Sequence, residues 1–185
     1  IIITGSFLEE GFHFNDIDII VLTEDKINFN IINNAVVNKT GINGHVLVLS
    51  GNELVRGLES DPLYQMMLSR CVAQKRFIYK TKPVLNYKLL DLHLFKSKTL
   101  LDNFDTLNGR EKYKLVRNLI AIYLHLNKKK ITFESVDSEI KKTFGVSVKE
   151  IKDNVLDKKD FMKKYKLMYD KSFAIILREI EHGSK

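Results

Sequence analysis

The alternation of hydrophobic and polar positions divides the chain into two regimes. Up to Lys82, short apolar and β-branched runs stand between polar breaks: "IIIT" from Ile1, "DIDIIVLT" from Asp16, "GHVLVLS" from Gly44 and "RFIYK" from Arg76. Runs of this length and composition predict β-strands, with helices in the stretches between them. Ser50 and Glu53 have capping-box spacing ahead of "LVRGL". Asp61-Pro62 pairs a cap residue with a first-turn proline, predicting a helix through "LYQMMLSRCVAQ", Leu63 to Gln74.

From about Tyr87 onward the strand signals stop. "YKLLDLHLFKSKTLLDNF" and "EKYKLVRNLIAIYLHL" carry apolar residues at three- and four-residue spacing, as in Leu115, Leu119, Ile122 and Leu126. Ser147 and Glu150 repeat the capping-box spacing. Asp157 is placed to cap a last helix with the apolar stripe Phe161, Tyr165, Met168, Phe173, Ile176 and Ile180. Pro83, in "KTKPVLN", breaks any continuing element and marks the boundary. The expected fold class is α/β (α+β): a small mixed sheet with flanking helices over residues 1–82, then an all-α helical bundle over residues 83–185. The first residue is Ile, already inside a strand-like run, so native sequence upstream of Ile1 is expected.

Composition narrows this picture modestly. With 44% hydrophobic residues among 185, the chain has enough apolar material for a core. No run approaches the ~18 apolar residues of a membrane helix, and no secretory leader pattern is present, so a cytoplasmic protein without membrane association is expected. The single cysteine, Cys71, reads as a small core residue of a reducing compartment. The net charge of +7 is uneven: Ile1 to Arg110 holds 12 basic and 12 acidic residues, and Glu111 to Lys185 holds 18 and 11. A basic half admits nucleic acid or an acidic protein as partner. Its lysines alternate with acids and lack an arginine cluster, however, which is the pattern of a solvated helix surface.

The candidate chemistry lies in the first two strands. In a strand, residues i and i+2 share a face, so Asp16 and Asp18 present two carboxylates side by side. Two hard oxygen donors suit a divalent cation such as Mg²⁺, which completes its shell with water and phosphate. An acid pair at a strand start is also common in proteins without any metal. Gly5 and Ser6, directly after the first strand, strengthen the functional reading: glycine permits a tight turn, and the following N–H groups with the Ser6 hydroxyl suit phosphate oxygens. A connection of nine residues, Phe7 to Asn15, then separates this cradle from the acids.

This combination, from Ile1 to about Lys80, resembles the nucleotidyltransferase superfamily that shares the DNA polymerase β catalytic core, and within it the minimal prokaryotic branch. The resemblance implies a sheet of nucleotidyltransferase type. Gly5 and Ser6 would form the nucleotide-binding turn, and Asp16 and Asp18 would hold Mg²⁺ (or Mn²⁺) on a nucleoside triphosphate. The implied reaction transfers a nucleoside monophosphate to an acceptor hydroxyl on a protein, a small molecule or an RNA end, releasing pyrophosphate. Two positions depart from the family pattern. The strand "GHVLVLS" contains no third acid, and His45 stands about where that acid belongs; the arginine common after Gly-Ser is replaced by Phe7 and Leu8. His45 is therefore a replacement base, a nucleotide- or partner-contacting residue, or an incidental strand residue. The departures open an alternative: a weakened nucleotidyltransferase fold acting as a binding or regulatory protein, for example an antitoxin-like partner of a helical protein, or as a homodimer. Glu53 reads as a cap, His13 as loop packing, His93 and His125 as helix residues without metal-ligand spacing, and Arg117 as a helix cation with an intramolecular carboxylate partner. Arg70 and Arg76 read as solvent-facing.

Overall fold

Residues Asp16–Leu22 form the central strand, and their sequence explains why. Ile17, Ile19 and Val21 point to one face and Ile20 to the other, and all four are buried. Apolar residues on both faces mark a strand covered on both sides. The computed structural model, which describes residues 1–8, 16–75 and 82–183, supplies both covers. A four-stranded sheet has the order β3-β2-β1-β4, with β1 at Ile2–Thr4, β2 at Asp16–Leu22, β3 at Asn43–Leu49 and β4 at Cys71–Ala73. β1 runs antiparallel to β2 and β4, whereas β2 and β3 are parallel, so the sheet is mixed.

Parallel neighbours need a crossover, and helix α1, Phe29–Thr40, provides it. Its start is capped by the Asn28 side chain and it stops at Gly41, whose φ is 70°. Ile32 and Val36 of α1 pack on Ile17, Ile19 and Val21. On the opposite face, Leu54 and Leu58 of α2, Gly51–Ser60, and Leu68 of α3, Pro62–Leu68, pack with Ile2 and Ile20. The two expected caps form: Glu53 N–H donates to Ser50 Oγ (3.1 Å) with Ser50 N–H on Glu53 Oε2 (2.7 Å), and Leu63 N–H donates to Asp61 Oδ1 (2.8 Å).

One expectation for this region needs correction. The helix starting at Pro62 ends at Leu68 instead of running to Gln74, and the fourth strand of the described sheet is Cys71–Ala73. Thr4 supplies the reason. Its hydroxyl, fully buried on β1, lies 2.7 Å from the Met67 carbonyl and 3.0 Å from that of Arg70, taking up carbonyls where the helix stops. The chain after it pairs with β1, whose edge offers main-chain partners that another helical turn could not use. The run "RFIYK" lies outside the described residues. Cys71 packs partly buried against the Ile2–Ile20 core, and burial raises its thiol pKa.

The chain divides into two compact units, residues 1–59 with 64–82 and residues 60–63 with 83–185. The second contains α4 (Tyr87–Asn103), α5 (Gly109–Leu126), α6 (Phe133–Phe144), α7 (Val148–Lys152) and α8 (Lys158–Gly183). α5 is its hub: Val116, Leu119, Ile120 and Ile122 are fully buried. Phe104, Phe144, Phe161 and Tyr165 form an aromatic cluster, and Tyr165 donates its hydroxyl to the Ser97 carbonyl at 2.8 Å. Capping boxes start α5 (Asn108, Glu111), α6 (Thr132, Ser135) and α7 (Ser147, Glu150), and Asp157 caps α8 through the Asp160 N–H. Gly109 is required by proximity, because a Cβ there would run into the Lys152 carbonyl and lie 2.6 Å from that of Ile151. The α8 stripe also differs from expectation. Phe161, Tyr165, Met168, Ser172 and Ile176 are buried, while Phe173 and Ile180 are 39% and 41% exposed. Steps of four from Met168 pass through Ser172, which closes its own hydrogen bond on the Met168 carbonyl (3.0 Å) and so tolerates burial. Among the described residues no helix is long and apolar enough to cross a membrane.

Candidate functional site

Register decides which polar groups meet. Asp18 on β2 is opposite Thr4 of antiparallel β1 and opposite His45 of parallel β3, and Asp16 is opposite Asn43. Asp16 and Asp18 lie on the same face of β2 as Ile20 and Leu22. Ile20 is buried in the core and Leu22 packs against it, so the acids continue that row past the apolar cover. Asp16 is exposed, and the Asp18 side chain retains 35% exposure.

Because β1 and β2 are antiparallel, the end of β1 arrives beside the start of β2. Gly5 follows Thr4 with φ +86°, a conformation that L side chains rarely adopt, and the chain enters a short 3-10 turn, Ser6–Leu8, closed by Leu8 N–H on the Gly5 carbonyl at 3.2 Å. A Cβ on Gly5 would overlap Oδ2 of Asp18 and lie 2.9 Å from its Cγ. The Gly-Ser turn is thus packed directly on the carboxylate. On the other side, Nδ1 of His45 stands 3.1 Å from Asp18 Oδ1, and the imidazole is 81% exposed. The structure therefore brings together Gly5, the start of the Ser6 turn, Asp18 and His45, with Asp16 next on the same strand face. The Ser6 side chain, His13 with the rest of 9–15, and Arg76 lie outside the described residues.

Glu53, the acid nearest in sequence after β3, is occupied. Its hydrogen bonds from the Ser50 backbone and hydroxyl lower its pKa and hold it as a helix cap. Among the described residues no group of three or more His, Cys, Asp or Glu is arranged to hold a metal by itself. Two carboxylates on one strand face, one of them cradled by a turn that a Cβ would fill, fit a different case. They suit a hard cation that keeps water and arrives on phosphate, and they do not suit an all-protein cage. Asp16 and Asp18 are the residues that would hold it.

A second polar cluster, in the helical unit, was not legible from spacing. His93 Nε2 of α4 stands 3.3 Å from the Asp61 carboxylate, and both are largely buried. His125 of α5 is 1% exposed, and its Nε2 has no hydrogen-bond partner among the described residues. Burial lowers the His125 pKa, opposed by its hydrogen bond to the Val84 backbone and by the charge of Asp61. His93 and His125 are far apart in sequence and share only their relation to Asp61. Asp61 carries an obvious alternative role as a cap, which hid the cluster. Arg117 has its guanidinium 5.8 Å from the Tyr113 ring and 5.9 Å from that of Phe133, a placement no motif announced.

No family model, curated protein or solved structure matches this chain.

Proposed function

We propose that the sheet-bearing unit is a Mg²⁺-dependent nucleotidyltransferase domain that moves a nucleoside monophosphate from a nucleoside triphosphate to an acceptor hydroxyl, with release of pyrophosphate. The observation that carries this reading is the packing of the positive-φ Gly5 turn against the Asp18 carboxylate. A phosphate-binding turn and a metal-binding acid must be adjacent for one triphosphate to touch both.

In this mechanism the turn after Gly5 receives phosphate oxygens on its backbone, and Asp16 and Asp18 are the residues that would hold the divalent ion. The ion, when bound, neutralises charge developing on the leaving pyrophosphate. The acceptor oxygen bonds to the α-phosphorus as the bond from that phosphorus to the bridging oxygen of the pyrophosphate breaks. His45, in contact with Asp18 and open to solvent, takes the acceptor proton. The chain's contribution is chiefly positioning and charge neutralisation.

The test is incubation of the chain with each labelled triphosphate, Mg²⁺ or Mn²⁺ and candidate acceptors, with pyrophosphate release as readout. Asp16→Asn and Asp18→Asn are expected to lower release at least about 100-fold, the scale of losing one electrostatic stabiliser of the transition state. Release that both variants leave unchanged, or no release with any triphosphate, refutes turnover.

His45 itself favours a second reading. An imidazole opposite Asp18 brings no negative charge for a second ion, which suits a fold of this type kept for binding a partner protein, such as a helical toxin-like partner, or a second copy of itself. Calorimetry separates the two readings: partner binding that needs no metal and survives Asp16→Ala belongs to the second.

A further inference from the structure

The helical unit has a recess of its own, of about 300 Å³, formed by α5, α6 and α8. On α8, Lys164, Leu167, Met168 and Lys171 follow the i, i+3, i+4, i+7 spacing of one helix face, and all four line it. Lys142 of α6 and Tyr123 of α5 line it as well. Met168 is buried, Tyr123 is half-buried, and Leu167 is 58% exposed, an apolar and aromatic lining that water covers poorly.

The cations around this lining are not equivalent. Lys164 is tethered, with Nζ 2.6 Å from Asp160 and 3.1 Å from the Phe144 carbonyl. Lys142 and Lys171 are exposed, and Lys129 adds an ammonium 6.0 Å from the Tyr123 ring. Against these stand Glu139 in the lining and Asp160 on Lys164. The balance is positive, and it lies in the half of the chain that holds the whole net charge of +7. Lys164 and Lys171 are two turns apart, about 10 Å along the axis, so a single small anion does not span them. A ligand with both an anionic end and a planar apolar body uses the whole recess.

We propose that this recess is a binding site for one nucleotide unit, its phosphate on Lys142 and Lys171 and its base on Tyr123 and Leu167. The volume is at the low end of small-ligand pockets, which suits one unit and no more, and aromatic stacking beside lysines is how single-stranded nucleic acid is held. The unit comes from a free mononucleotide or from the end of a single strand. The recess belongs to the helical unit, and Gly5, Asp16 and Asp18 to the sheet-bearing one, so the proposal does not depend on the activity proposed there.

The test uses the full chain without divalent cation, a set of nucleoside monophosphates, and a 5′-phosphorylated four-nucleotide RNA, with binding measured by calorimetry. Comparable affinity for monophosphate and RNA identifies a free nucleotide as the ligand; preference for RNA identifies a strand end. Lys142→Glu with Lys171→Glu is expected to weaken binding at least about tenfold and to flatten its salt dependence. The control pair Lys96→Glu with Lys98→Glu, exposed on α4 with the same charge change, is expected to leave it unchanged. Equal loss in both lysine pairs, or no binding of either ligand, overturns the site. Should charge reversal unfold the chain, acetylation footprinting of the wild type decides: ligand protects Lys142 and Lys171 but not Lys96 and Lys98, and equal labelling with and without ligand refutes the proposal.

Discussion

Gly5→Ala tests the geometry on which the first site rests. Two separate effects oppose the methyl group. The φ of +86° places an L side chain in a left-handed conformation, which costs roughly 1–2 kcal/mol for alanine. The new Cβ also overlaps Oδ2 of Asp18 and lies 2.9 Å from Cγ and 3.2 Å from Cβ of the same residue, so the carboxylate must swing away. Its hydrogen bond to His45 is then lost, worth under about 1 kcal/mol for an exposed pair. The expected total is about 2–3 kcal/mol, read from urea unfolding of the wild type and the variant by circular dichroism. The two effects separate in a double-mutant cycle. In an Asp18→Ala background Oδ2 and Cγ are absent and only the 3.2 Å Cβ approach remains, so Gly5→Ala should cost about 1 kcal/mol less there, beyond the additivity limit of ~0.5 kcal/mol. Additive single-site effects would show that Gly5 does not lie against Asp18, and the phosphate-and-metal reading would lose its support.

Further outcomes follow from other contacts. Gly109→Ala is expected to destabilise the helical unit by about 2–3 kcal/mol, because the methyl group meets main-chain carbonyls of Ile151 and Lys152 and not a flexible side chain; Gly51→Ala, with open space around it, should be neutral or slightly stabilising in the same melt. Burial holds the His125 pKa below its ordinary 6.5, so the unfolded chain binds more protons in acid. Stability is therefore full above that value and falls as pH drops below it, with a limiting slope near 1.4 kcal/mol per pH unit for one proton, and His125→Leu should flatten that part of a pH–stability curve. Tyr165→Phe should cost about 1 kcal/mol through its lost bond to the Ser97 carbonyl. His45→Asp, which puts a carboxylate opposite Asp18, should lower stability by up to about 1 kcal/mol without metal and restore it with millimolar Mg²⁺; a thermal midpoint as insensitive to Mg²⁺ as that of the wild type would show that position 45 does not face the acid pair.

The parts of the fold legible in the sequence are those in which one physical requirement acts alone. β2 announces itself because apolar residues on both faces leave few alternatives, and the capping pairs Ser50–Glu53 and Ser147–Glu150 form as read because a cap is satisfied within one turn. Where distant partners compete, local reading fails. The segment after Leu68 has the composition of a continuing helix, yet the edge of β1 and the Thr4 hydroxyl, more than sixty positions away, give its backbone a better arrangement. On α8, Ser172 is buried and Phe173 is not, because the packed face advances from Phe161 to Ile176 in steps of three and four that pass through position 172. The candidate site divides in the same way. Asp16 and Asp18 share a face by strand periodicity, and Gly5 and Ser6 follow a strand, but the contact between Gly5 and Asp18 exists only through the antiparallel pairing of β1 with β2. The hydrogen bond from His45 to Asp18 needs parallel register with β3. The Asp61–His93 pair and its neighbour His125 carry no local signal at all.

Stability of the sheet gives no reason for Asp18 to be an acid. Ile20, two residues on along the same face, is buried in the core, and a shorter apolar side chain at position 18 would extend that row. The hydrogen bond that Asp18 makes among the described residues goes to an imidazole that is 81% exposed, a contact of small energetic weight. Gly5 is equally unexplained by packing, since its left-handed turn is held against a carboxylate that contributes little to the fold. A turn that only glycine adopts easily, packed on a partly exposed carboxylate, is the juxtaposition on which the proposed function rests. In the proposed function, phosphate would take up the turn and a divalent cation would take up the acid. One ligand containing both, the metal-bound nucleotide of the proposed function, would account for Gly5, Asp16 and Asp18 together, whereas a structural explanation must account for each of them separately.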